Sequence, residues 1–363
     1  MLWVLWLVLA VVGGAGILLR FTTGHRLAAY TSYVPWGMWV AAYIYFIGLS
    51  AGAFLLSSLV YVFGVHRLER IAKLALYVAA ITLVMALMTI WFDLGHLERF
   101  YYVFLRPQFH SMMAWMVWLY TAYFLLLLGE LFFALRRDMV PLSPEQVARD
   151  DRILRVLGTI GVPLAIAFHG GVGALFGTVV AREYWHSPIY PILFLTGALV
   201  SGGALMTFIT AAFWPKKDTD WRELLQFLGR IVLGLILFDL LLEWAEYSIP
   251  MWYGVGSEYK LLTYVLFGPY WYVYWVVHIL LGVVIPVYLL ATRRSPAAIA
   301  LATFLVAVTF FAIRLNLVIP GLITPELRGL EHSYQDPVGA INRLSYTYFP
   351  SLFEWQVLMG VIA

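Results

Sequence analysis

The chain has 363 residues, 63% hydrophobic and 12% charged, with no cysteine and a formal net charge of +3; its mean hydropathy is +0.86. A soluble domain is about half apolar and about a quarter charged, so the composition excludes one and predicts a single integral membrane domain over residues 1–363. The missing cysteines exclude disulfides, thiolate zinc sites and cysteine-ligated iron–sulfur clusters within this chain, no metal site is predicted, and the small net charge gives no reason to expect nucleic acid.

A helix needs about 20 apolar residues to cross the hydrocarbon core. Ten runs qualify as candidate spans: 2–20, 36–63, 71–93, 111–135, 153–178, 189–213, 226–248, 271–291, 297–319 and 349–363. The first has no basic residue before it and no small-residue cleavage site, so it reads as a retained helix and not a signal peptide. The last holds fifteen residues, about 22 Å of helix, and stops on Ala363 without a basic anchor; the expectation is that the chain continues further. Aromatic residues mark the borders, among them Tyr30, Tyr33 and Trp36 before the second span and Tyr270, Trp271 and Tyr272 at the eighth.

Loops 2–3, 4–5, 6–7 and 8–9 hold thirteen Lys and Arg, Arg67 to Arg294, against eight in the others, Arg20 to Arg343. The positive-inside bias predicts the first set, and both termini, in the cytoplasm. The outward linkers 94–110, 249–270 and 320–348 are rich in Pro, Gly and aromatics and are expected to pack down over the bundle.

Charge inside the spans costs at least ~2.5–3.5 kcal/mol per residue on insertion scales, so its placement carries information. Asp93 ends the third span; if the helix continues, His96 follows at i+3 on the same face. His169 lies past the middle of the fifth. Asp239, Glu243 and Glu246 fall at i, i+4 and i+7, one acidic stripe on the seventh. His278 enters on the eighth, Arg314 and Asn316 lie near the outer end of the ninth, and Glu354 stands one turn into the tenth. Only Glu130, on the fourth, lies near the inner side. This depth clustering predicts one polar cavity open to the outside. Plainer readings are an Arg314–Glu354 or Arg314–Asp239 pair that ties helices together, and acids that snorkel to the interface. A haem b between His169 and His278 is a further alternative.

Several segments, in order, carry a resemblance. Trp91-Phe-Asp-Leu-Gly-His-Leu-Glu-Arg-Phe100 followed by Leu105-Arg-Pro107 resembles the Asp-Leu-Gly-Arg-Pro-type loop of the NrfD/polysulfide-reductase membrane subunits, with His96-Leu97 where Arg-Pro is common. Trp36-Gly-Met-Trp39, His169-Gly-Gly-Val-Gly-Ala-Leu-Phe-Gly177, Trp185-His-Ser-Pro188, Arg314-Leu-Asn316 and Tyr348-Phe-Pro-Ser-Leu-Phe-Glu354 fit as well, and the ten-span count is similar to the longer branch of that family.

The resemblance implies an all-α polytopic fold of two four-helix bundles, spans 2–5 and 6–9 (36–178 and 189–319), flanked by spans 1 and 10. It also implies a membrane anchor that exchanges electrons between a quinone, menaquinone or ubiquinone, and a four-cluster ferredoxin-like iron–sulfur subunit on the outer face, beside further redox subunits. Quinone chemistry moves two protons with two electrons and needs titratable groups at the head group. Asp93, His96 and His169 are candidates to supply them, Arg314 to stabilise a reduced quinone, and Trp36, Trp39 and Tyr43 to wall the ring. Arg99 and Arg106 are candidates for partner docking. Asp239, Glu243, Glu246 and Glu130 are candidates for a proton path to the inside. A haem-bearing cytochrome subunit and an ion or solute transporter stand as competing functions.

Overall fold

In lipid every backbone polar group has to be satisfied within the chain, and long apolar runs with no strand alternation do so as helices. The computed structural model describes residues 2–31, 33–293, 295–325 and 346–363. Arg294, Arg328 and Arg343 of the charge comparison, and most of linker 320–348, lie outside the described residues.

In chain order the helices are α1 (Leu2–Thr23), α2 (Met38–Tyr61), α3 (Glu69–Asp93), α4 (Tyr102–Leu105), α5 (Met112–Met139), α6 (Pro144–Gly177), α7 (Tyr190–Phe213), α8 (Thr219–Tyr253) and α9 (Gly256–Phe267), then a π-helix (Val273–Val284) that runs into α10 (Ile285–Thr292), α11 (Pro296–Ile323) and α12 (Leu352–Ile362). Among the described residues nine helices are long and apolar enough to cross a membrane. The tenth expected span is the shorter α12, with 11 residues. The chain is an all-α polytopic membrane protein.

Helices α2, α3, α5 and α6 pack as one bundle, and α7, α8, the π-helix with α10, and α11 as a second. Their seam is the crossing of α2 with α7, with α6 and α11 alongside. Glycines set how close that crossing comes: a Cβ on Gly202 would lie 2.7 Å from Gly52 Cα, and one on Gly52 would overlap the Ala198 carbonyl. Small residues let membrane helices approach this way. Helix α1 pairs with α12 through Gly13, Gly16 and Gly360, and α12 leans on α3 and α2. We call the end of the bundle where α3 stops and α5 starts the upper face, and the opposite end the lower face.

Two helices exceed their predicted spans because hydropathy stops at the first charge and a helix does not. Helix α6 has 34 residues and begins at a capping box in which Ser143 and Gln146 satisfy each other's backbone N–H. Helix α8 has 35 residues, is N-capped by Asp218 and ends at Gly254 in the left-handed conformation, φ 63°. Their lower ends are tied across the bundle by Arg136–Asp150 at 3.4 Å, Arg70–Asp220 at 2.8 Å and Arg67–Glu223 at 3.5 Å. At the upper face α9 lies over the second bundle with Leu262 and Val265 buried.

Candidate functional site

The upper end of α3 is where the buried polar chemistry begins. A helix leaves its last carbonyls without partners, and here Arg20, from the last turns of α1, takes them. Its Nε donates to Phe92 O at 2.8 Å and its Nη2 to Leu94 O at 2.6 Å, with the residue 2% exposed. The same Nη2 lies 3.1 Å from His25 Nε2. Because the guanidinium can only donate, that imidazole nitrogen accepts. Burial, and then the Arg20 charge, hold His25 below its ordinary 6.5, so the ring is neutral.

The loop after α1 brings Tyr30 to the same point. Its hydroxyl donates to Asp93 Oδ1 at 2.5 Å. Burial and the neighbouring Asp93 push the Tyr30 hydroxyl well above its ordinary range, which keeps the proton on the phenol. Trp39 lies 5.9 Å from both the His25 and the Tyr30 ring centroids and is fully buried. Asp93 itself is half-buried; its chain neighbours include the half-buried Trp91 and the exposed Leu94, and the exposed Phe21 packs edge-on against the Trp91 and Phe92 rings. Behind Tyr30 stand Tyr348 and Glu354 at the start of α12. The result is a polar wall at the upper end of α3, beside the exposed Phe21 and Leu94.

A second polar region lies in the seam and the second bundle. Thr196 Oγ1 donates to Asp239 Oδ1 at 2.7 Å, Ser187 Oγ to Glu246 Oε2 at 3.0 Å, and His278 Nε2 meets Glu243 Oε2 at 2.8 Å. The i, i+4, i+7 stripe therefore does face inward together. His278 sits in the π-helix, a local geometry that recurs at functional sites. Two small cavities, about 30 Å³ and about 20 Å³, share Asp239 and Glu243; Arg314, Tyr184 and Tyr247 line the first, His278 and Thr309 the second. Such volumes take one or two waters, far short of the several hundred Å³ of an organic ligand pocket.

Arg314 is 1% exposed, its guanidinium over the Phe194 ring at 4.4 Å and the Phe310 ring at 5.2 Å, with Nε and Nη2 unpartnered. His169 is fully buried, both ring nitrogens unpartnered, its Cε1 against the position a Gly48 Cβ would take. Pro320 has no N–H to give Asn316 O four residues back, and that freed carbonyl accepts from the Tyr184 hydroxyl at 3.2 Å.

The predicted site residues thus divide. Asp93 alone sits in the upper pocket wall. His96 does not share a face with it: α3 ends at Asp93, Leu94 is extended, and His96 is an exposed residue 3.0 Å from Glu98. Trp36 stacks on Trp185 at 5.9 Å, joining the upper loops of the two bundles. The Tyr43 hydroxyl bonds that of Tyr120 inside the first bundle. His169 and Arg314 belong to the seam. The expected Arg314–Glu354 pair is absent: the Glu354 carboxylate is taken by Tyr348, Ala29 N and Ser351 N, and among the described residues Arg314 makes no ion pair. Glu130 is buried in the first bundle beside Gly158, apart from the acidic stripe of the second. Arg99 and Arg106 are on the upper surface, Arg99 3.7 Å from Glu98 and Arg106 over the Tyr102 ring at 5.6 Å.

Sequence alone gives Arg20, His25 and Tyr30 no role beyond loop charge or interfacial anchoring, and Tyr348 stands out only as the start of the Tyr348–Glu354 segment of the resemblance. The signal of Arg20 and His25 is position: Arg20 ends the predicted first span and His25 follows it, on the side where Asp93 ends the third.

Residues 27–326 match the family described as polysulphide reductase, NrfD. The chain belongs to that family. A selenate reductase component from Mesobacillus selenatarsenatis is 36% identical to this NrfD-family chain over 98% of it and 88% of the relative. The Hdr-like menaquinol oxidoreductase integral membrane subunit of Archaeoglobus fulgidus is 28% identical, with the same coverage of 98% and 88%. The menaquinone reductase integral membrane subunit of Nitratidesulfovibrio vulgaris is 24% identical over 61% of the chain and 56% of the relative.

Proposed function

We propose that this chain is the quinone-reactive membrane anchor of a respiratory redox complex and that the quinone head group is bound at Asp93. The observation that carries the reading is the placement of Asp93: a half-buried carboxyl bonded by Tyr30, with neutral His25 and the fully buried Trp39 beside it, at an edge of the bundle lined by Phe21 and Leu94. A lipid-soluble quinone enters sideways through such an edge. The seam cavities hold ionisable groups and space for one or two waters. Relatives named for menaquinol oxidation and menaquinone reduction support menaquinone as the substrate.

At this site Asp93 accepts or returns a proton, Tyr30 holds the Asp93 carboxyl in place, and the buried Trp39 backs Tyr30 and His25. Electrons pass to a partner subunit, because a chain without cysteine has no cluster of its own. The reading puts a four-cluster ferredoxin-like iron–sulfur protein on the upper face over residues 94–110, near Arg99 and Arg106, since tunnelling needs the carrier close to the quinone. It puts that face outward and both termini in the cytoplasm of a prokaryotic cell. Asp239, Glu243 and Glu246, with water in the cavities between them, are the proposed proton path; Glu130 lies in the other bundle and is outside it.

Replacing Asp93 by Asn keeps an oxygen to accept the Tyr30 hydroxyl and removes the base. General acid–base groups contribute on the order of 10²–10⁴-fold, so quinol turnover of the assembled complex should drop on that scale. Normal turnover in an assembled D93N complex would remove Asp93 from the site.

A further inference from the structure

The proposed reaction releases or takes up two protons, and Asp93 accounts for one. Glu354 is a second carboxyl at the same wall, and it is fully buried. Its Oε2 accepts from Ala29 N at 3.0 Å and Ser351 N at 2.9 Å, and its Oε1 accepts from the Tyr348 hydroxyl. The Tyr348 oxygen in turn accepts from Met38 N at 2.7 Å. Trp39, which packs against Tyr30 and His25, donates its indole N–H to the Glu354 carbonyl at 3.0 Å.

Two carboxyl–tyrosine pairs therefore stand back to back. Asp93 with Tyr30 closes the end of α3, and Glu354 with Tyr348 opens α12. The two phenol rings are 6.2 Å apart and inclined by 31°. Gly37 lies between them: a Cβ there would overlap the edge of the Tyr30 ring and the Tyr348 hydroxyl. Arg20 and His25 flank the Asp93 pair. His25 is poorly suited to take the second proton, because its Nε2 already accepts from the Arg20 cation, and a like charge beside it disfavours protonation.

We infer that Glu354, reached through Tyr348, is the second proton acceptor of the quinone site. The inference rests on the Asp93 reading of that site. In the oxidising direction both O–H bonds of the quinol break. Two electrons go, one at a time, to the one-electron carriers of the partner subunit. One proton goes to the Asp93 carboxylate. The other passes inward beside the Tyr30 ring, 6.2 Å from that of Tyr348, to the Tyr348 oxygen, as the Tyr348 O–H passes its own proton to Glu354 Oε1, which leaves the phenol unchanged. Quinone reduction runs the same transfers backward. Tyr348 is suited to relay because it both accepts and donates, and burial beside Glu354 raises its hydroxyl above the ordinary range, so it carries a proton at rest.

The plainer role of Glu354 is the capping box it forms with Ser351 at the start of α12. Glu354→Gln separates the two, because the amide keeps an oxygen for the backbone N–H groups and faces Tyr348 with its other atom, while it can no longer take a proton. The assay is redox-difference infrared spectroscopy on the assembled complex, with glutamate carboxyls labelled by ¹³C. The expected result is a glutamate carboxyl band that appears on quinol oxidation in the wild type and is missing from E354Q. Turnover should fall on the order of 10–100-fold with KM within about twofold. Tyr348→Phe should slow turnover in the same way. A wild-type complex with no glutamate band overturns the inference whether or not the variants assemble. So does wild-type turnover in E354Q or Y348F. If D93N is slow while E354Q is normal, this inference alone fails; if D93N is normal, the site reading fails with it.

Discussion

Replacing Arg20 by Met should loosen the upper end of α3 and, with it, the Asp93 wall. The side chain fills a similar volume but gives up two hydrogen bonds, at 2.8 Å to Phe92 O and 2.6 Å to Leu94 O. Bonds from a charged donor are worth about 1.5–3 kcal/mol each, which sets a ceiling of about 3–6 kcal/mol for the pair. Hydrogen bonds between membrane helices average nearer ~0.6 kcal/mol, which sets a floor of about 1 kcal/mol. Phe92 is 1% exposed and its carbonyl gains little water as a substitute, whereas Leu94 is exposed and its carbonyl is only part-buried, so the loss should fall in the middle of that range. Lys at this position keeps the charge but lacks the fork that reaches two acceptors and should lose about half as much. Thermal unfolding of the purified protein measures the stability, and hydrogen exchange at residues 92–97 reports the site of the loss. An R20M protein with wild-type melting and unchanged exchange there would refute the reasoning.

Four more expectations follow from the same geometry. Because His25 is held below 6.5 in the fold, the unfolded chain binds more protons between the folded value and 6.5, so stability rises with pH through that window and is lowest beneath it; His25→Gln should flatten this slope in melting curves recorded across it. His96→Ala should leave quinol KM and turnover unchanged, since the residue is exposed and pairs with Glu98 at 3.0 Å, and a large rise in KM would place His96 back at the head group. Gly202→Val should cost more than the ~1–3 kcal/mol of ordinary overpacking, because its Cβ would meet the Gly52 backbone at 2.7 Å; a stable, assembled variant would show the α2–α7 crossing to be looser than described. In proteoliposomes, Asp239→Asn should lower proton displacement per electron while Glu130→Gln does not; equal values for wild type and D239N would end the proposed path.

The helices were legible because apolar length and breaks are enough to place membrane spans, and the acidic stripe of α8 was legible because 3.6-residue periodicity puts Asp239, Glu243 and Glu246 on one face. The ends were less so. Ser143-Pro-Glu-Gln146 carries a capping box that extends α6 past the predicted start, yet hydropathy alone discounts Glu145 and the charges that follow. Asp93 is marked by its motif, but Tyr30, which bonds it, comes from the loop before α2 and Arg20, which holds the helix end beside it, from α1, and no spacing in the sequence links either to it. Arg314 and Glu354 share a predicted depth without sharing a neighbourhood: Arg314 lies over Phe194 and Phe310, while Glu354 is held by Tyr348, Ala29 N and Ser351 N. The π-helix was not legible because Val273–Val284 has the same apolar character as an α-helical span.

The central claim is that the quinone head group sits at Asp93. A photoreactive menaquinone analogue, cross-linked in native membranes and mapped by peptide mass, tests it most directly. The account predicts label on residues 20–39 and 91–97, with excess menaquinone preventing it. Label confined to residues around Arg314 and Asp239, with none at the end of α3, would contradict it.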